Sequence, residues 1–448
     1  MARDLNKGSA FKNIVFFSIP FLFSYFLQTL YGLADLFISG RFNGADIISA
    51  VSIGSQIMHM LTVVIVGLSM GSTVIIGRAA GAKEEKTVSK AVGNTAAIFI
   101  IFSILLTVIL NLSVNGIVKI MSTPSEAVAQ TKLYLSICFL GIPFITAYNI
   151  ISSVYRGIGD SKSPMYFIIV SCVLNIVLDY VFIGGFGLKA AGAALGTVLS
   201  QTVSVIFALI YTKKKDVGIH LTKKDFIPDR EMFKNILTIG VPIALQDGFI
   251  QVSFIVITII ANRRGVEVAA AVGIVEKIIG FLFLIPSSML SAVSSITSQN
   301  MGAGQHDRAK QTLKYGILIG VCIGAFFTVT FQFLSAQAVS LFTNDSNVVV
   351  LGSQYLRSYV FDCAIAGITF AFSGYFCAYG LAYVSFIHNC ASILLVRIPG
   401  AYFASKFFPD TLFPMGIASP TGSLLSAIIC ISVYIYISRK NTAKEFAN

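Results

Sequence analysis

Five acidic side chains lie inside long apolar stretches of the sequence: Asp35, Asp179, Asp247, Glu276 and Asp362. An ionisable group within a membrane span costs about 2.5–3.5 kcal/mol on insertion scales, so its presence there indicates a function. When two such carboxylates share a cavity, they can take up a proton or hold a Na⁺ together with neutral oxygen atoms.

Asp35 and Asp179 are the strongest candidates for such a pair. Asn175 precedes Asp179 by four residues, a spacing that places both side chains on the same face of a helix. An apolar cavity favours a protonated carboxyl, whereas a nearby cation or amide donor favours the ionised form. Asp35 has an alternative interpretation as an interfacial residue that water reaches.

The second half of the chain contains a less defined polar group. Asp247 and Glu276 together predict a second polar site, but Lys277 directly follows Glu276 and favours a local ion pair equally well. Arg397 is expected either to pair with an acid or to extend its guanidinium to the membrane surface.

The composition requires a membrane environment for these groups. Of 448 residues, 56% are hydrophobic and 12% are charged, about half the charged fraction of a soluble domain. A soluble enzyme, a nucleic-acid-binding protein and a disulfide-rich secreted domain are therefore excluded. The net charge of +12 is explained by basic cytoplasmic loops, and the seven cysteines by core packing.

The apolar runs predict an all-α polytopic membrane protein with twelve transmembrane helices. Each run is long enough to cross a hydrocarbon core of about 30 Å. The predicted spans are 14–38, 46–69, 91–112, 131–155, 165–184, 190–211, 235–262, 268–296, 312–334, 354–378, 382–405 and 413–437.

The loops between these spans differ strongly in basic residues. With the N-terminus inside, 22 Lys and Arg residues lie on the cytoplasmic side and six on the other side. This bias predicts a multi-pass protein of the cytoplasmic (inner) membrane with both termini in the cytoplasm. The N-terminal segment shows no cleavable signal peptide.

The chain also repeats itself internally. Gly81-Ala82 matches Gly302-Ala303, and Gly159 matches Gly380, both at an offset of 221 residues. We therefore predict a six-helix lobe over 1–211, a basic cytoplasmic linker over 212–234 and a second six-helix lobe with a short tail over 235–448. Two parallel repeats around a central cavity are typical of alternating-access transporters.

Two motif searches exclude other chemistries. The segment Gly157–Ser163 resembles a phosphate-binding loop but has Ser161 where the pattern requires glycine, so ATP hydrolysis is unsupported. The four histidines have no metal-ligand spacing. The chain is therefore expected to need no cofactor other than a coupling ion, H⁺ or Na⁺.

Six short motifs occur along the chain in a fixed order and spacing: Ala34–Arg41, Gly77–Ala82, Tyr155–Pro164, Asn175–Phe182, Ala191–Thr197 and Ser298–Gly304. Together they resemble the multidrug and toxic compound extrusion (MATE) family, and the first half resembles its DinF-like branch. The resemblance covers nearly the whole chain.

The resemblance implies a secondary antiporter, not an enzyme, that exports amphipathic and often cationic drugs against H⁺ or Na⁺. In the DinF-like branch, five positions form the coupling-ion site, and all five carry the expected residue type here: Asp35, Asn149, Asn175, Asp179 and Thr197. Asp35 and Asp179 would be the metal ligands if the ion is Na⁺. Another branch has acids in helices 7 and 10, and at those positions this chain has Gln251 and Ala366. We assign Gln251, together with Asp247 and Glu276, to the predicted second polar site.

Two alternatives remain open at this point. A lipid-linked oligosaccharide flippase of the same superfamily would require a basic cavity, and a membrane-embedded enzyme would require clustered catalytic side chains. The expected partners of an exporter are the lipid bilayer and small organic cations, and we expect no nucleic acid and a functional monomer. Pro20 removes a backbone hydrogen bond and is expected to let helix 1 bend.

Overall fold

The computed structural model describes residues 5–215 and 218–445. Both ends of the chain and two residues of the predicted linker lie outside these ranges.

Within the described ranges the chain is almost entirely helical and has no β-strand. The helices are α1 (Ala10–Phe42), α2 (Ala45–Gly81), α3 (Glu85–Ile120), α4 (Val128–Leu140), α5 (Ile142–Gly157), α6 (Lys162–Asp179), α7 (Lys189–Lys215), α8 (Arg230–Asn262), α9 (Val266–Leu282), α10 (Leu284–Gly302), α11 (His306–Ser340), α12 (Ser346–Tyr359), α13 (Phe361–Ala378), α14 (Ala382–Ala391), α15 (Ile398–Phe407) and α16 (Phe413–Glu445).

Three short segments complete the helical structure. A π-helical turn over Tyr180–Gly185 continues α6, a second one over Ser392–Arg397 joins α14 to α15, and a 3₁₀ turn over Lys223–Phe226 precedes α8. π-helical turns are rare and occur frequently at functional sites. Each of the two here lies within a membrane-spanning segment.

In the described part of the chain, eleven helical segments are long and apolar enough to cross a membrane. The bent pair α4 and α5, which meet at 47°, supplies a twelfth. Each segment overlaps one predicted span, so the predicted all-α polytopic architecture is confirmed. The helices exceed the predicted spans because they continue into the aqueous regions; α2 has 37 residues and is therefore about 55 Å long.

The described chain divides into two compact units that are not simple halves of the sequence. Unit 1 contains 5–7, 16–244 and 298–305, and unit 2 contains 8–15, 245–297 and 306–445. The division into lobes 1–211 and 235–448 with the linker 212–234 stays a prediction.

Close backbone contacts explain why unit 1 includes two segments from the second half of the sequence. A Cβ atom on Gly71 of α2 would lie 2.1 Å from the carbonyl oxygen of Ile236, so α2 and α8 cross at a glycine. At the end of α10, a Cβ atom on Gly302 would lie 1.9 Å from the carbonyl oxygen of Arg78. Gly81 approaches the backbone of Gln299 in the reciprocal way. The offset of 221 residues relates Arg78 to Gln299 and Gly81 to Gly302, so the two contacts are equivalent in the repeat.

The apolar core of unit 1 holds the helices that carry the first acidic pair. Ile38 of α1, Tyr134 of α4 and Ile183 of the π-helical turn are all buried in one cluster. A Cβ atom on Gly192 of α7 would lie 3.0 Å from the Ile183 side chain, so α7 begins directly against this turn. The contact fixes the end of α6, where Asp179 lies, against α7.

The core of unit 2 is built around α9 and α12. Val275, Tyr355 and Tyr359 belong to its largest apolar cluster, and all three are buried. Elsewhere in the unit, α11 and α13 approach through Gly320 and Gly367, each of which would place a Cβ atom within 3.0 Å of the other's backbone. Small residues at such crossings let membrane helices pack closely.

Candidate functional site

Three helices of unit 1 bring polar side chains to one buried place. Asp35 lies on α1, Asn175 and Asp179 lie one turn apart on α6, and Thr197 lies on α7. The side chains of Asp35, Asn175 and Asp179 are 3%, 1% and 0% exposed. Four of the five positions predicted for a coupling-ion site are therefore buried or partly buried together in unit 1.

The contacts of Asp35 define the centre of this site. The Thr197 hydroxyl donates a hydrogen bond of 3.4 Å to Asp35 Oδ2, and the carboxyl groups of Asp35 and Asp179 lie close enough to interact. Asn175 is the third side chain beside Asp35. Asp35 Oδ1, both carboxyl oxygens of Asp179 and both amide atoms of Asn175 are nevertheless buried without a hydrogen-bond partner.

The charge of this pair has no basic counterpart. Within the described residues, no Lys, Arg or His side chain forms an ion pair with Asp35 or Asp179 or neutralises them electrostatically. Two adjacent carboxylates in a medium of low polarity cannot both stay ionised without a bound cation, so the pair is suited to hold one proton or one monovalent cation. The described residues contain no group of three His, Cys, Asp or Glu that could bind a multivalent metal ion.

Gly196 lies at this site but is not one of the five positions predicted for it. A Cβ atom at this position would lie 2.2 Å from Asp179 Oδ1, so the carboxylate rests directly on the α7 backbone. The available signal was the small-residue spacing Gly192-xxx-Gly196, which indicates close approach of a neighbour but not which atoms approach.

Comparison with known proteins identifies the family. The MatE family model matches residues 20–181 and again 242–403, which together make up most of the chain. The chain belongs to the MatE family. It is thus a secondary transporter of the multidrug efflux class rather than an enzyme, and the family resemblance predicted from its motifs is confirmed.

Individual relatives agree with this assignment. The MatE transporter is 27% identical over 447 residues to the probable multidrug resistance protein YoeA of Bacillus subtilis, covering 98% of this chain and 96% of that protein. It is 28% identical over 374 residues to the multidrug export protein MepA of Staphylococcus aureus, covering 82% and 81%. A solved outward-facing multidrug resistance MATE transporter has the same fold, with a TM-score of 0.91, 24% identity and 98% coverage of both chains.

These comparisons also separate the alternatives. They do not favour the flippase, and they exclude the membrane-embedded enzyme, since MatE proteins are secondary transporters. They show a multi-pass membrane protein.

One predicted site residue of the MatE transporter forms its hydrogen bond within its own helix. Asn149 on α5 is 3% exposed, and its Nδ2 donates a hydrogen bond of 2.8 Å to the carbonyl oxygen of Ile145. Within the described residues it forms no hydrogen bond to Asp35 or Asp179. Its part in the coupling site therefore stays a prediction.

The second polar group predicted for the MatE transporter does not assemble in the described residues. Asp247 interacts with its neighbour Gln246, and Gln251 forms no hydrogen bond there. Glu276 instead accepts a hydrogen bond of 3.2 Å from the Thr258 hydroxyl. The expected local ion pair is also absent from these ranges, because adjacent residues of a helix do not face each other.

Pro20 lies inside α1, which runs through it from Ala10 to Phe42. The Ser24 hydroxyl donates a hydrogen bond of 2.8 Å to the Pro20 carbonyl oxygen. A helix with a missing backbone hydrogen bond can bend more easily at that point. Bending at Pro20 stays a prediction.

The loop that resembled a phosphate site has a structural role in the MatE transporter. Gly159 adopts φ +87°, and Asp160 Oδ1 then accepts hydrogen bonds from the amides of Lys162 and Ser163 at the start of α6. Asp160 Oδ2 pairs with Lys215 Nζ at 2.7 Å. Burial raises the pKa of Asp160, but the hydrogen bonds from Lys215 and Ser163 outweigh burial, so the net pKa lies below its ordinary value.

Proposed function

We propose that this MatE transporter exports amphipathic, often cationic organic compounds in exchange for H⁺ or Na⁺, and that Asp35 and Asp179 hold the coupling ion. The observation that carries the proposal is the buried carboxylate pair of unit 1, which has neutral donors around it and no basic partner among the described residues. The relatives named as multidrug exporters support the choice of substrate class.

The exchange follows from the energy of buried charge. Binding a proton or Na⁺ removes most of the cost of holding two carboxylates away from water. If the ion binds the outward-facing and inward-facing states with different affinity, its binding shifts the equilibrium between them. The Thr197 hydroxyl and the Asn175 amide can each donate a hydrogen bond to an ionised Asp35 or accept one from a protonated Asp35.

One coupling ion supplies enough energy for export. An elementary charge that crosses 100 mV releases about 2.3 kcal/mol, and a tenfold solute gradient costs about 1.4 kcal/mol. For a neutral substrate, one ion per molecule can therefore sustain a gradient of about 40-fold. For a monovalent cation such as ethidium, one-for-one exchange moves no net charge, so the chemical gradient of the ion supplies the energy, about 1.4 kcal/mol for each tenfold difference in ion concentration.

The decisive experiment is ethidium efflux from proteoliposomes with a pH gradient and a Na⁺ gradient imposed separately. We expect uphill efflux under at least one gradient, and we expect Asp35→Asn to remove it. Asp46→Asn, which changes an exposed acid in unit 1, is the matched control and should behave as wild type. Absence of efflux under both gradients, or uphill efflux at the wild-type rate in Asp35→Asn, would overturn the proposal.

We further propose that the transporter belongs to the DinF-like branch and works as a monomer in the cytoplasmic membrane. Its two six-helix lobes, 1–211 and 235–448, would be joined by the cytoplasmic linker 212–234, with both termini in the cytoplasm. The distribution of basic residues supports this orientation. Impermeant labelling of single cysteines placed in the linker tests it, and labelling from outside intact cells would contradict it.

A further inference from the structure

Unit 2 contains a second cluster of charged side chains, formed by the partly buried Glu276 of α9, the buried Asp362 of α13 and the buried Arg397 at the end of the second π-helical turn. Asp362 is 1% exposed and Arg397 is 8% exposed. Arg397 lies within electrostatic range of both acids. Glu276 Oε1, Asp362 Oδ1 and Arg397 Nε are all buried without a hydrogen-bond partner.

Aromatic side chains, rather than a salt bridge, hold the arginine in place. The guanidinium carbon lies 4.8 Å from the centre of the Phe254 ring and 5.7 Å from that of Tyr359. Nη2 also donates a hydrogen bond to the Tyr359 hydroxyl. Within the described residues, Arg397 forms no ion pair with Glu276 or Asp362 within 4 Å, so neither acid is committed to it.

The remaining neighbours of the two acids are neutral or exposed. Glu276 faces the Thr258 hydroxyl and the Tyr355 and Tyr359 phenols, and Lys277 on its own helix is exposed. Asp362 has four polar neighbours: the Ser423 hydroxyl, the Cys363 thiol, the Tyr359 phenol and the Arg397 guanidinium.

The formal charges of the cluster do not balance. Two carboxylates and one guanidinium leave one negative charge in a region where uncompensated charge is costly. A metal cation is disfavoured because the fixed guanidinium repels it. A proton neutralises the excess by binding directly to a carboxyl oxygen.

We propose that one exchangeable proton is bound by Glu276 or Asp362, while Arg397 compensates the charge of the other carboxylate. The cluster is then a second proton-binding site of the transporter, in unit 2. This inference rests on the proposed function in one respect: the proton adds to the ion exchanged at Asp35 and Asp179.

The test counts protonated carboxyl groups in the purified transporter, reconstituted in liposomes, by the infrared C=O stretching band of the protonated acid at neutral pH. The background is the double variant Asp35→Asn/Asp179→Asn, which removes the acids of unit 1. Asp247 contributes equally to all samples. Because the readout does not require drug export, failure of this inference is distinguishable from failure of the proposed function.

Three variants give different expected results. Asp362→Asn or Glu276→Gln leaves one carboxylate opposite one guanidinium, so the band should lose the intensity of one carboxyl group. Arg397→Gln leaves two acids without a cation, so the band should gain the intensity of one. Arg357→Gln, which changes an exposed arginine of the same unit, should leave the band unchanged.

Two outcomes overturn the proposal. One is an unchanged band in both Asp362→Asn and Glu276→Gln. Both substitutions are nearly isosteric, so these two variants decide the question even if Arg397→Gln does not fold. The other is a loss of band intensity when NaCl replaces choline chloride at constant pH, since Na⁺ would then occupy the cluster instead of a proton.

Discussion

Unit 1 and unit 2 each hold a pair of acidic side chains within membrane-spanning helices, but they compensate the charge differently. Among the described residues, Asp35 and Asp179 have only neutral donors beside them. Glu276 and Asp362 have the Arg397 guanidinium within electrostatic range. The acids of unit 1 therefore depend on an ion from outside the protein. In unit 2 a built-in cation compensates one acid and leaves one charge for a proton.

The two units share a backbone feature at these clusters. A π-helical turn begins directly after Asp179 in unit 1, and another ends at Arg397 in unit 2. A π-helical turn widens the helix locally and changes the direction of the side chains next to it. The two turns do not occupy corresponding positions of the repeat, because the offset of 221 residues relates 180–185 to 401–406 rather than to 392–397.

The largest expected effect distinguishes the two clusters in transport. A hundredfold ion gradient, exchanged one for one, is worth about 2.8 kcal/mol and can sustain about a hundredfold ethidium gradient. Asp179→Asn should remove this exchange, so the ethidium gradient should collapse to equilibrium. Glu276→Gln should keep uphill export with fewer protons per ethidium, measured by reversal potential in proteoliposomes. Equal collapse in both variants would show that the clusters do not differ in function.

A smaller effect is expected from the glycine that supports the Asp179 carboxylate. Gly196→Ala places a methyl group 2.2 Å from Asp179 Oδ1, and overpacking of this kind costs about 1–3 kcal/mol. We expect coupled ethidium export to slow about tenfold. Gly32→Ala is the control, because a Cβ atom there meets no other atom within 4 Å. Equal rates in both variants would show that the carboxylate position does not limit transport.

The loop before α6 differs from its counterpart in unit 2, where Gly380 (φ +74°) is followed by Leu381 instead of an acid. Asp160→Asn should lower the free energy of unfolding by about 1–2 kcal/mol through the loss of a cap and an ion pair. Because the pKa of Asp160 is lowered, its stabilisation is complete above about pH 4 and is lost as pH falls through the folded-state pKa.

Thermal unfolding of the detergent-purified protein at several pH values checks this prediction. The difference between wild type and Asp160→Asn should shrink below about pH 4. Asp307→Asn, which breaks an exposed ion pair with Lys310 in unit 2, should change the unfolding temperature very little. A difference for Asp160→Asn that persists at low pH would contradict an electrostatic origin.

The smallest expected effect concerns the proline of α1. Pro20→Ala restores a backbone hydrogen bond and should stiffen the helix that carries Asp35. We expect ethidium export to fall roughly two- to fivefold, equivalent to about 0.5–1 kcal/mol, at unchanged unfolding temperature. Pro242→Ala in α8, at the corresponding sequence position, is the comparison. Export at the wild-type rate in Pro20→Ala would remove the bend from the mechanism.

Much of the fold could be predicted because membrane spans depend on local composition. Twenty apolar residues in a row must form a helix in lipid, whatever surrounds them. The same argument singled out Asp35 and Asp179, since an acid in such a run is costly wherever it points. The boundaries were less predictable: α2 continues to Gly81, twelve residues beyond the predicted span, because its end packs on the backbone near Gln299.

The sequence by itself determined the number of spans, the family and the acidic residues of unit 1. Only the tertiary structure decided which side chains meet. It placed Arg397 within electrostatic range of both Glu276 and Asp362, which lie 121 and 35 residues earlier in the chain. It also placed Gly196 under Asp179 and kept Asn149 on its own helix backbone. These outcomes depend on how helices cross and rotate, and that is decided by packing between distant segments rather than by local pattern.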